Sequence, residues 1–418
     1  MKSPSRPLST SVYFTGTFRA FRDRNYRLLW PANILAYSSR WMQLTLLGWF
    51  VLELTDSALR VALVGVFAMT PMLLLGLVGG MLADVMDRRR LLMGVHALTF
   101  TGAVVMAGLL WTGSERFWHA YAVILVAGIG WALDMPSRRS LIHDLLGSSG
   151  VTNAVALDSV GMSISMMIGP ALAGALITVV GVKGGFAAVT LFYLTSLVLL
   201  QRLKLDKSMA RRGRVGAIVP SLTDGLRYIA RNQALRATVL ITLVMNILMF
   251  PYMNLVPVVA RDILDVGPGL MGLLQAASGL GAGAGAVGIA SWVNLRHHGR
   301  VYIGGAIMAS VALLLFSFST WYALSVPMLL VLGMGNSGFS TMQSSIVMLL
   351  TDRHVRGKAL GVITLAIGTA PLGALALGVM AEEMSAPFAL RINAILSIVC
   401  LVLVGLLAPA LRRPIVTG

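Results

Sequence analysis

The sequence predicts an all-α multi-pass membrane protein, with twelve transmembrane helices arranged in two pseudo-symmetric six-helix bundles. The first observation is composition: of 418 residues, 57% are hydrophobic and only 12% are charged, whereas a soluble domain is about 25% charged. The second is that twelve apolar runs are long enough to cross a bilayer, which takes about 20 residues in a helix. The third is that these runs lack the every-second-residue alternation of membrane strands.

The twelve runs fall into two groups of six, separated by one long polar stretch. The predicted spans are residues 28–53, 59–82, 91–112, 118–136, 152–180, 185–202, 235–262, 269–293, 301–318, 321–350, 359–381 and 388–411. The resulting domains are an N-terminal segment 1–27, a first bundle 28–202, a central loop 203–234, a second bundle 235–411 and a tail 412–418. Within the central loop, residues 217–230 fit a short interfacial helix and a flexible linker equally well.

Positive charge is concentrated on one side of the predicted bundle. The net charge is +17, and 27 of the 33 Lys/Arg residues lie in the two chain ends, the central loop and every second short connection. Because loops rich in Lys and Arg stay in the cytoplasm, we expect both termini there, with the chain in the cytoplasmic (inner) membrane of a bacterium. This placement favours contact with anionic lipid headgroups over nucleic acid binding.

The two groups of spans carry matching short motifs in the same order. The dipeptide Arg-Asn at residues 24–25 recurs at 231–232, just before spans one and seven, and Gly-x-Gly at 128–130 in span four recurs at 333–335 in span ten. The shared order indicates duplication of a six-helix unit. Two such units around a central site are typical of transporters that work by alternating access.

Four stretches carry a resemblance to a known family. They read Phe21-Arg-Asp-Arg-Asn-Tyr-Arg-Leu-Leu-Trp30, Trp41-Met-Gln43, Gly80-Met-Leu-Ala-Asp84-Val-Met-Asp-Arg88-Arg-Arg and Gly169-Pro170-Ala-Leu-Ala-Gly174. The chain resembles a major facilitator superfamily transporter, in the branch of enterobactin-type and macrolide-efflux-type exporters. It departs from the family pattern at Asp87 and Ala173, where the family has glycine.

The resemblance implies a set of gating residues. In the family, the aspartate at the position of Asp84 meets the N-terminal end of span eleven, near Lys358, and the arginine at the position of Arg88 bridges to an acid in span four, here Asp134. The implied gating set is Gly80, Asp84, Arg88, Asp134, Gly169, Pro170 and Gly174. Its last three members would bend span five, since proline removes a helical hydrogen bond. The alternative left open is that Asp84 and Asp134 only cap helices.

Arg40 is the most conspicuous charged residue inside a span. It lies about 18 Å into span one, near the bilayer centre, where an arginine costs about 2.5–3.5 kcal/mol. We therefore expect it to face the central cavity and to pair with Asp158, or to bind an anionic cargo group. A fixed structural ion pair is the alternative.

The predicted substrate or proton cavity includes Arg40, Gln43, Asp158, Asn246 and Gln275. In this fold, spans one, seven and eight line the cavity, and the amides of Gln43, Asn246 and Gln275 lie in these three spans. Asp158 fits a carrier of the coupled proton and a water-exposed acid equally well. Span four lacks the arginine that many proton antiporters carry there.

Other kinds of chemistry have no signature in the sequence. There is no GxxxxGK[ST] phosphate loop, so ATP does not drive the chain directly. There is no HExxH motif, and the single cysteine, Cys400, rules out a cysteine-based metal site. We therefore expect no cofactor, no metal and no enzymatic activity.

The sequence and the resemblance together predict a secondary active transporter. It would export an amphipathic small molecule, such as a drug or a siderophore, in exchange for protons, and it would function as a monomer. Two alternatives stay open. One is uptake of a metabolite by the same fold, and the other is a lipid scramblase or membrane sensor.

Overall fold

The computed structural model describes residues 18–204, 218–291, 297–352 and 355–414, with the backbone alone at 77–81, 83–85, 148–149 and 218–222. Within these residues the chain forms twelve helices of membrane-spanning length. They are α1 Arg24–Thr55, α2 Ala58–Val85, α3 Arg88–Thr112, α4 Phe117–Gly147, α5 150–180, α6 182–201, α7 Gln233–Asp262, α8 Pro268–Ala290, α9 His298–Phe316, α10 Tyr322–Leu350, α11 Arg356–Glu383 and α12 Ala386–Leu407. The predicted fold class is confirmed.

Polar side chains fix where several helices begin. Asp23, Ser57 and Asp87 each accept a hydrogen bond from the backbone N–H three residues later, at distances of 2.8 to 3.2 Å. Such caps satisfy N–H groups that have no partner inside the helix. Asp87 therefore caps α3 at the position where the family has glycine.

Helix α4 is longer than the sequence predicts. The predicted end near residue 136 is wrong, because the helix continues to Gly147, whose φ of 62° turns the chain. With its ψ of −176°, this φ falls in a backbone region that is essentially restricted to glycine. The polar residues after position 136 indicate a loop, but Arg138 is buried, since it pairs with Asp134 one turn earlier on the same helix.

Glycines bring the N-terminal bundle (α1–α6) and the C-terminal bundle (α7–α12) into close contact. A Cβ atom added to Gly174 of α5 would lie 2.9 Å from the Cα of Gly272 of α8. A Cβ atom added to Gly279 of α8 would lie 2.9 Å from the backbone of Met166. Small residues at helix crossings allow this approach in membranes. Any side chain at these positions would push the bundles apart.

The helix ends lie on two faces of the molecule, a basic face and an opposite face. The basic face holds the connection at residues 86–87, the start of α1 and the end of α12. The opposite face holds the connections at residues 56–57 and 263–267. An even number of spans places the two described ends on the same face.

Polar contacts join the bundles on the side of the opposite face. Arg261 of α7 forms an ion pair with Asp56, which follows α1. Glu382 of α11 accepts hydrogen bonds from the hydroxyl of Ser57 at 2.9 Å and from the backbone N–H of Leu59 at 3.0 Å. Glu382 of one bundle thereby completes the N-terminal cap of α2 in the other.

The central connection contains an amphipathic helix, Ile218–Arg231, and its predicted interfacial position stays a prediction. Its Asp224 pairs with Lys358 of α11 at 2.7 Å, and its Tyr228 hydroxyl donates to Asp352 at 3.3 Å. Gly225 packs on the backbone of Lys358, where a Cβ atom would lie 2.7 Å from the carbonyl oxygen. The helix therefore packs on the C-terminal bundle.

Candidate functional site

The centre of the N-terminal bundle holds a buried charged network around Asp134. Arg138 donates from Nε to Oδ2 of Asp134 at 2.9 Å, and Nε2 of His96 lies 3.1 Å from Oδ1. On the other side of the imidazole, Nδ1 lies 3.0 Å from the hydroxyl of Ser196 in α6. Asp134, Arg138 and His96 are each at most 5% exposed. A buried ion pair needs such additional hydrogen bonds to offset the desolvation of its charges.

Asp158 of α5 has neutral partners. The side-chain amide of Asn33 donates to Oδ1 at 2.6 Å and the hydroxyl of Tyr37 donates to Oδ2 at 2.9 Å. Both partners lie on α1, and Asp158 is half-buried. The predicted pair between Arg40 and Asp158 is wrong, because these two donors, one and two turns before Arg40 on the same helix, occupy the carboxylate.

Tyr37 connects Asp158 to the charged network. The guanidinium of Arg138 lies over the ring of Tyr37, 4.6 Å from its centroid, while the hydroxyl of the same ring donates to Asp158. A cation over an aromatic face is attracted by the ring quadrupole. A continuous path of contacts therefore runs from Asp158 through Tyr37 and Arg138 to Asp134.

Arg40 is buried inside the N-terminal bundle, which contradicts the expectation that it faces the space between the bundles. Its guanidinium lies over the ring of Trp131, 4.5 Å from the centroid, and donates to the carbonyl of Ala127 at 3.4 Å. Both residues belong to α4. Together with His96 and Tyr193, Arg40 lines a cavity of about 20 Å³, a volume that holds about one water molecule.

At the basic face, Arg88 pairs with Asp144 and not with the predicted Asp134. Asp144 lies in the extra turns of α4, which the sequence assigned to a loop. Both side chains are 19% exposed. The structure describes only the backbone at Gly80 and Asp84, so the predicted contact of Asp84 with α11 stays a prediction.

The predicted amides occupy three different environments. Gln43 is fully buried and accepts from the hydroxyl of Tyr193 at 3.3 Å, which places it within the N-terminal bundle. Gln275 of α8 accepts from the hydroxyl of Thr45 at 2.7 Å, so it joins the two bundles. Asn246 lies in a π-helical turn over Met245–Met249, and its side-chain amide donates to the carbonyl of Thr242 in the preceding turn at 2.9 Å.

The glycine and proline positions of α5 lie at helix crossings. A Cβ atom added to Gly169 would lie 2.6 Å from the Cβ of Trp41 in α1, and Gly174 meets α8 as described above. Pro170 and Gly169 keep helical backbone angles, since Gly147 and Gly181 are the exceptions in this stretch of chain. Close packing is what the structure shows here, and the predicted bend stays a prediction.

Sequence reasoning missed Arg138 and Tyr37 as members of the site. The spacing of Asp134 and Arg138 is the i, i+4 pattern of a helical ion pair, and it could have extended the predicted span. No sequence signal places Tyr37 against Arg138, because that contact depends on how α1 packs on α4.

Comparison with known proteins gives a consistent set of relatives. A family model described as transmembrane secretion effector matches residues 15–413. The multidrug efflux pump Tap of Mycobacterium tuberculosis is 25% identical over 402 residues, which cover 91% of this chain and 93% of the pump. The staphyloferrin A transporter of Staphylococcus aureus is 22% identical over 364 residues, which cover 85% and 89%.

Two solved structures share the fold. A POT family transporter in complex with 5-aminolevulinic acid has a TM-score of 0.75 at 11% identity and covers 94% of this chain and 97% of its own. A bacterial homolog of the human lysosomal transporter Spinster, in an inward-facing and unoccupied conformation, has a TM-score of 0.71 at 14% identity and covers 93% and 98%.

Proposed function

Since the chain belongs to the transmembrane secretion effector family of the major facilitator superfamily, we propose that it exports an amphipathic small molecule from the cytoplasm in exchange for protons. Membership makes it a transporter and not an enzyme, as the sequence predicts. A multidrug efflux pump and a staphyloferrin A transporter among the relatives support cargo of this class. The direction, the cargo class and the proton are the proposal.

The observation that carries the proton coupling is the difference between two acids. Asp134 is held by a guanidinium within the bundle, and an acid beside a cation is stabilised in its ionised form. Asp158 is held by an amide and a phenol, and among the described residues it forms no ion pair. An acid with neutral partners is the better carrier of an exchangeable proton. We therefore assign the coupled proton to Asp158.

The path through Tyr37 gives protonation of Asp158 a structural consequence. The ionised carboxylate accepts from both Asn33 and Tyr37, so adding a proton to one oxygen removes one of these acceptor positions. Tyr37 also carries the guanidinium of Arg138 on its ring. Loss of its hydrogen bond would loosen the packing of α1 against α4 and α5.

The position of the bundle in the membrane follows from charge. We propose that the basic face lies in the cytoplasm, with both termini, and that the chain resides in the bacterial inner membrane as a functional monomer. The contacts of Arg261 with Asp56 and of Glu382 with Ser57 would then close the outer side. In the other state, the cytoplasmic side would be closed by Gly80, Asp84 and Arg88, with Asp144 as the partner of Arg88.

The cargo cavity is proposed to lie between the bundles, with Gln275 and Asn246 among its contacts. Gln275 is half-buried and reaches Thr45 across the interface. Arg40 and Gln43 support the N-terminal bundle from inside and are not proposed as cargo contacts.

The test uses everted membrane vesicles with an acidic interior and ethidium as cargo. The unaltered protein should accumulate ethidium, and Asp158→Asn should abolish accumulation while keeping downhill ethidium exchange. Glu383→Gln, an exposed acid at the opposite face, is the matched control and should behave as the unaltered protein. Accumulation by Asp158→Asn at the control rate would refute the assignment.

The same vesicles separate the alternatives. Cargo loss driven by the gradient would indicate uptake. Lipid flipping that ignores the gradient would indicate a scramblase. A ferric siderophore in place of ethidium tests the second cargo class.

A further inference from the structure

The basic face carries an open groove where the ends of α1, α3 and α6 meet. Its volume is about 870 Å³, and its lining includes five cations, which are Arg24, Arg27, Arg89, Arg202 and Lys204. Among the described residues, none of those that line it carries a carboxylate. We call this feature the basic groove. Its described lining residues include neither Asp158 nor the residues that join the two bundles.

Hydrogen bonds hold the walls of the basic groove together. Arg89 of α3 donates from Nε to the carbonyl of Leu200 at 3.2 Å and from Nη2 to that of Gln201 at 2.5 Å. Asn25 of α1 exchanges two hydrogen bonds with the backbone of Lys204, at 3.0 and 2.9 Å. The backbone that carries these cations is therefore fixed before any ligand arrives, which lowers the entropic cost of binding.

Two described acids that flank the groove in sequence are already engaged. Asp23 accepts from the backbone N–H of Tyr26, and Asp87 accepts from that of Arg90. Each carboxylate is thus directed at its own helix start. Neither of these two carboxylates pairs with a cation of the groove.

The surface next to the basic groove is apolar and faces outward. Along α6, Leu191, Leu194 and Val198 are 58%, 41% and 37% exposed, and Leu98 of α3 is 42% exposed. Val198 lies one helical turn from the rim of the groove. A ligand that combines anionic groups with hydrocarbon chains would match both surfaces, whereas a soluble polyanion would match only the first.

We propose that the basic groove binds the headgroup of a phospholipid with more than one negative charge, a diphosphatidyl lipid with two phosphates. Five cations exceed the single charge of a monophosphate lipid. Basic pockets between helix ends on the cytoplasmic side are a recurring way of binding such headgroups. The lipid would connect the starts of α1 and α3 to the C-terminal end of α6. The inference rests on the proposed orientation, in which the basic face meets the cytoplasmic leaflet.

The test compares two double variants of the purified full-length protein by native mass spectrometry. Arg24→Ala/Arg27→Ala removes two charges from the groove. Arg236→Ala/Arg300→Ala removes two exposed charges from the C-terminal bundle on the same face. Each is titrated with a diphosphatidyl lipid, with phosphatidylglycerol and with inorganic pyrophosphate.

We expect the groove variant to bind the diphosphatidyl lipid about tenfold more weakly or worse, and the control variant to bind it as the unaltered protein does. Phosphatidylglycerol and pyrophosphate should bind more weakly in every case. Equal losses in both variants would overturn the proposal, because they would indicate diffuse attraction. Equal affinity for pyrophosphate would overturn it in favour of a plain anion site.

Lys204→Ala guards against a folding defect, since the bonds to Asn25 use the backbone of Lys204 and survive the change. It should weaken lipid binding with no loss of thermal stability. Ethidium transport by the unaltered protein is measured separately, so failure of lipid binding and failure of the export proposal remain distinguishable.

Discussion

The two bundles share an architecture but differ in what they bury. Within the described residues, the buried polar side chains of the N-terminal bundle include the charged Arg40, Asp134 and Arg138, with His96 among them. Those of the C-terminal bundle are hydroxyls and amides alone, in the same part of the chain. The two bundles therefore differ in the chemistry of their buried side chains.

Equivalent positions make the difference concrete. Where α3 and α4 bring His96 to Asp134, the related helices α9 and α10 bring Tyr302 and Gln343 to Thr242 of α7. Gln343 donates to the hydroxyl of Thr242 at 2.8 Å, and the hydroxyls of Thr242 and Tyr302 lie 3.1 Å apart. The second network is neutral. Proton coupling, in our proposal, is therefore a property of the N-terminal bundle.

The largest expected effect comes from breaking the two networks at matched positions. Asp134→Leu leaves Arg138 buried without its carboxylate, and loss of one partner of a buried pair costs about 3–5 kcal/mol in the free energy of unfolding. Gln343→Leu removes a neutral hydrogen bond, which costs about 1 kcal/mol. Thermal unfolding in detergent measures both variants.

The control for that comparison is the double variant Asp134→Leu/Arg138→Leu. It removes both charges, so most of the lost stability should return. A double variant as unstable as Asp134→Leu alone would show that packing, and not the uncompensated charge, explains the defect.

The second expected effect compares two tyrosines. Tyr37→Phe removes the hydrogen bond to Asp158 but keeps the ring under Arg138, and we expect gradient-driven accumulation to fall about tenfold, because a bond to a charged group contributes roughly 1.5–3 kcal/mol. Tyr302→Phe removes a hydroxyl from the neutral network and should leave accumulation within about twofold. Initial rates of ethidium accumulation in everted vesicles measure both variants. Equal losses of accumulation in the two variants would contradict the assignment of proton coupling to one bundle.

A smaller effect is expected where the bundles meet. Glu382→Gln weakens the acceptor that caps α2, which should shift the population towards the outward-open state, by no more than about fivefold since the side chain is exposed. Spin-label distances across the opposite face measure the population, with Glu383→Gln as the neighbouring control. An unchanged distance distribution would show that Glu382 does not help to keep the outer side closed.

The smallest effect is expected at the exposed pair of the C-terminal bundle. The hydrogen bond from Lys358, and then its charge, hold the pKa of the Asp224 carboxyl below its ordinary value. The contribution of this pair is therefore complete above the ordinary carboxyl pKa and is lost as the pH falls through the lowered one. Exposed pairs contribute little, so Asp224→Asn should leave the melting temperature at pH 7 unchanged. A clear drop would mean that the amphipathic helix is held mainly by this charge.

The sequence alone determined the spans and the faces. The bilayer requires about 20 apolar residues for each helix, so the hydrophobic runs located the twelve helices with little ambiguity. The one clear error, the end of α4, arose because Asp134 and Arg138 bury each other's charge, and a polar residue with a partner looks the same in the sequence as one in a loop.

The tertiary structure decided which side chains meet. Arg88 pairs with Asp144, Asp158 pairs with Asn33 and Tyr37, and Arg40 lies over Trp131. The paired residues lie 56 to 125 positions apart in the chain, so these contacts depend on how the helices rotate and cross. Hydrophobic periodicity is weak in a helix that is apolar all round. The sequence therefore supplied the charged residues, and helix packing assigned their partners.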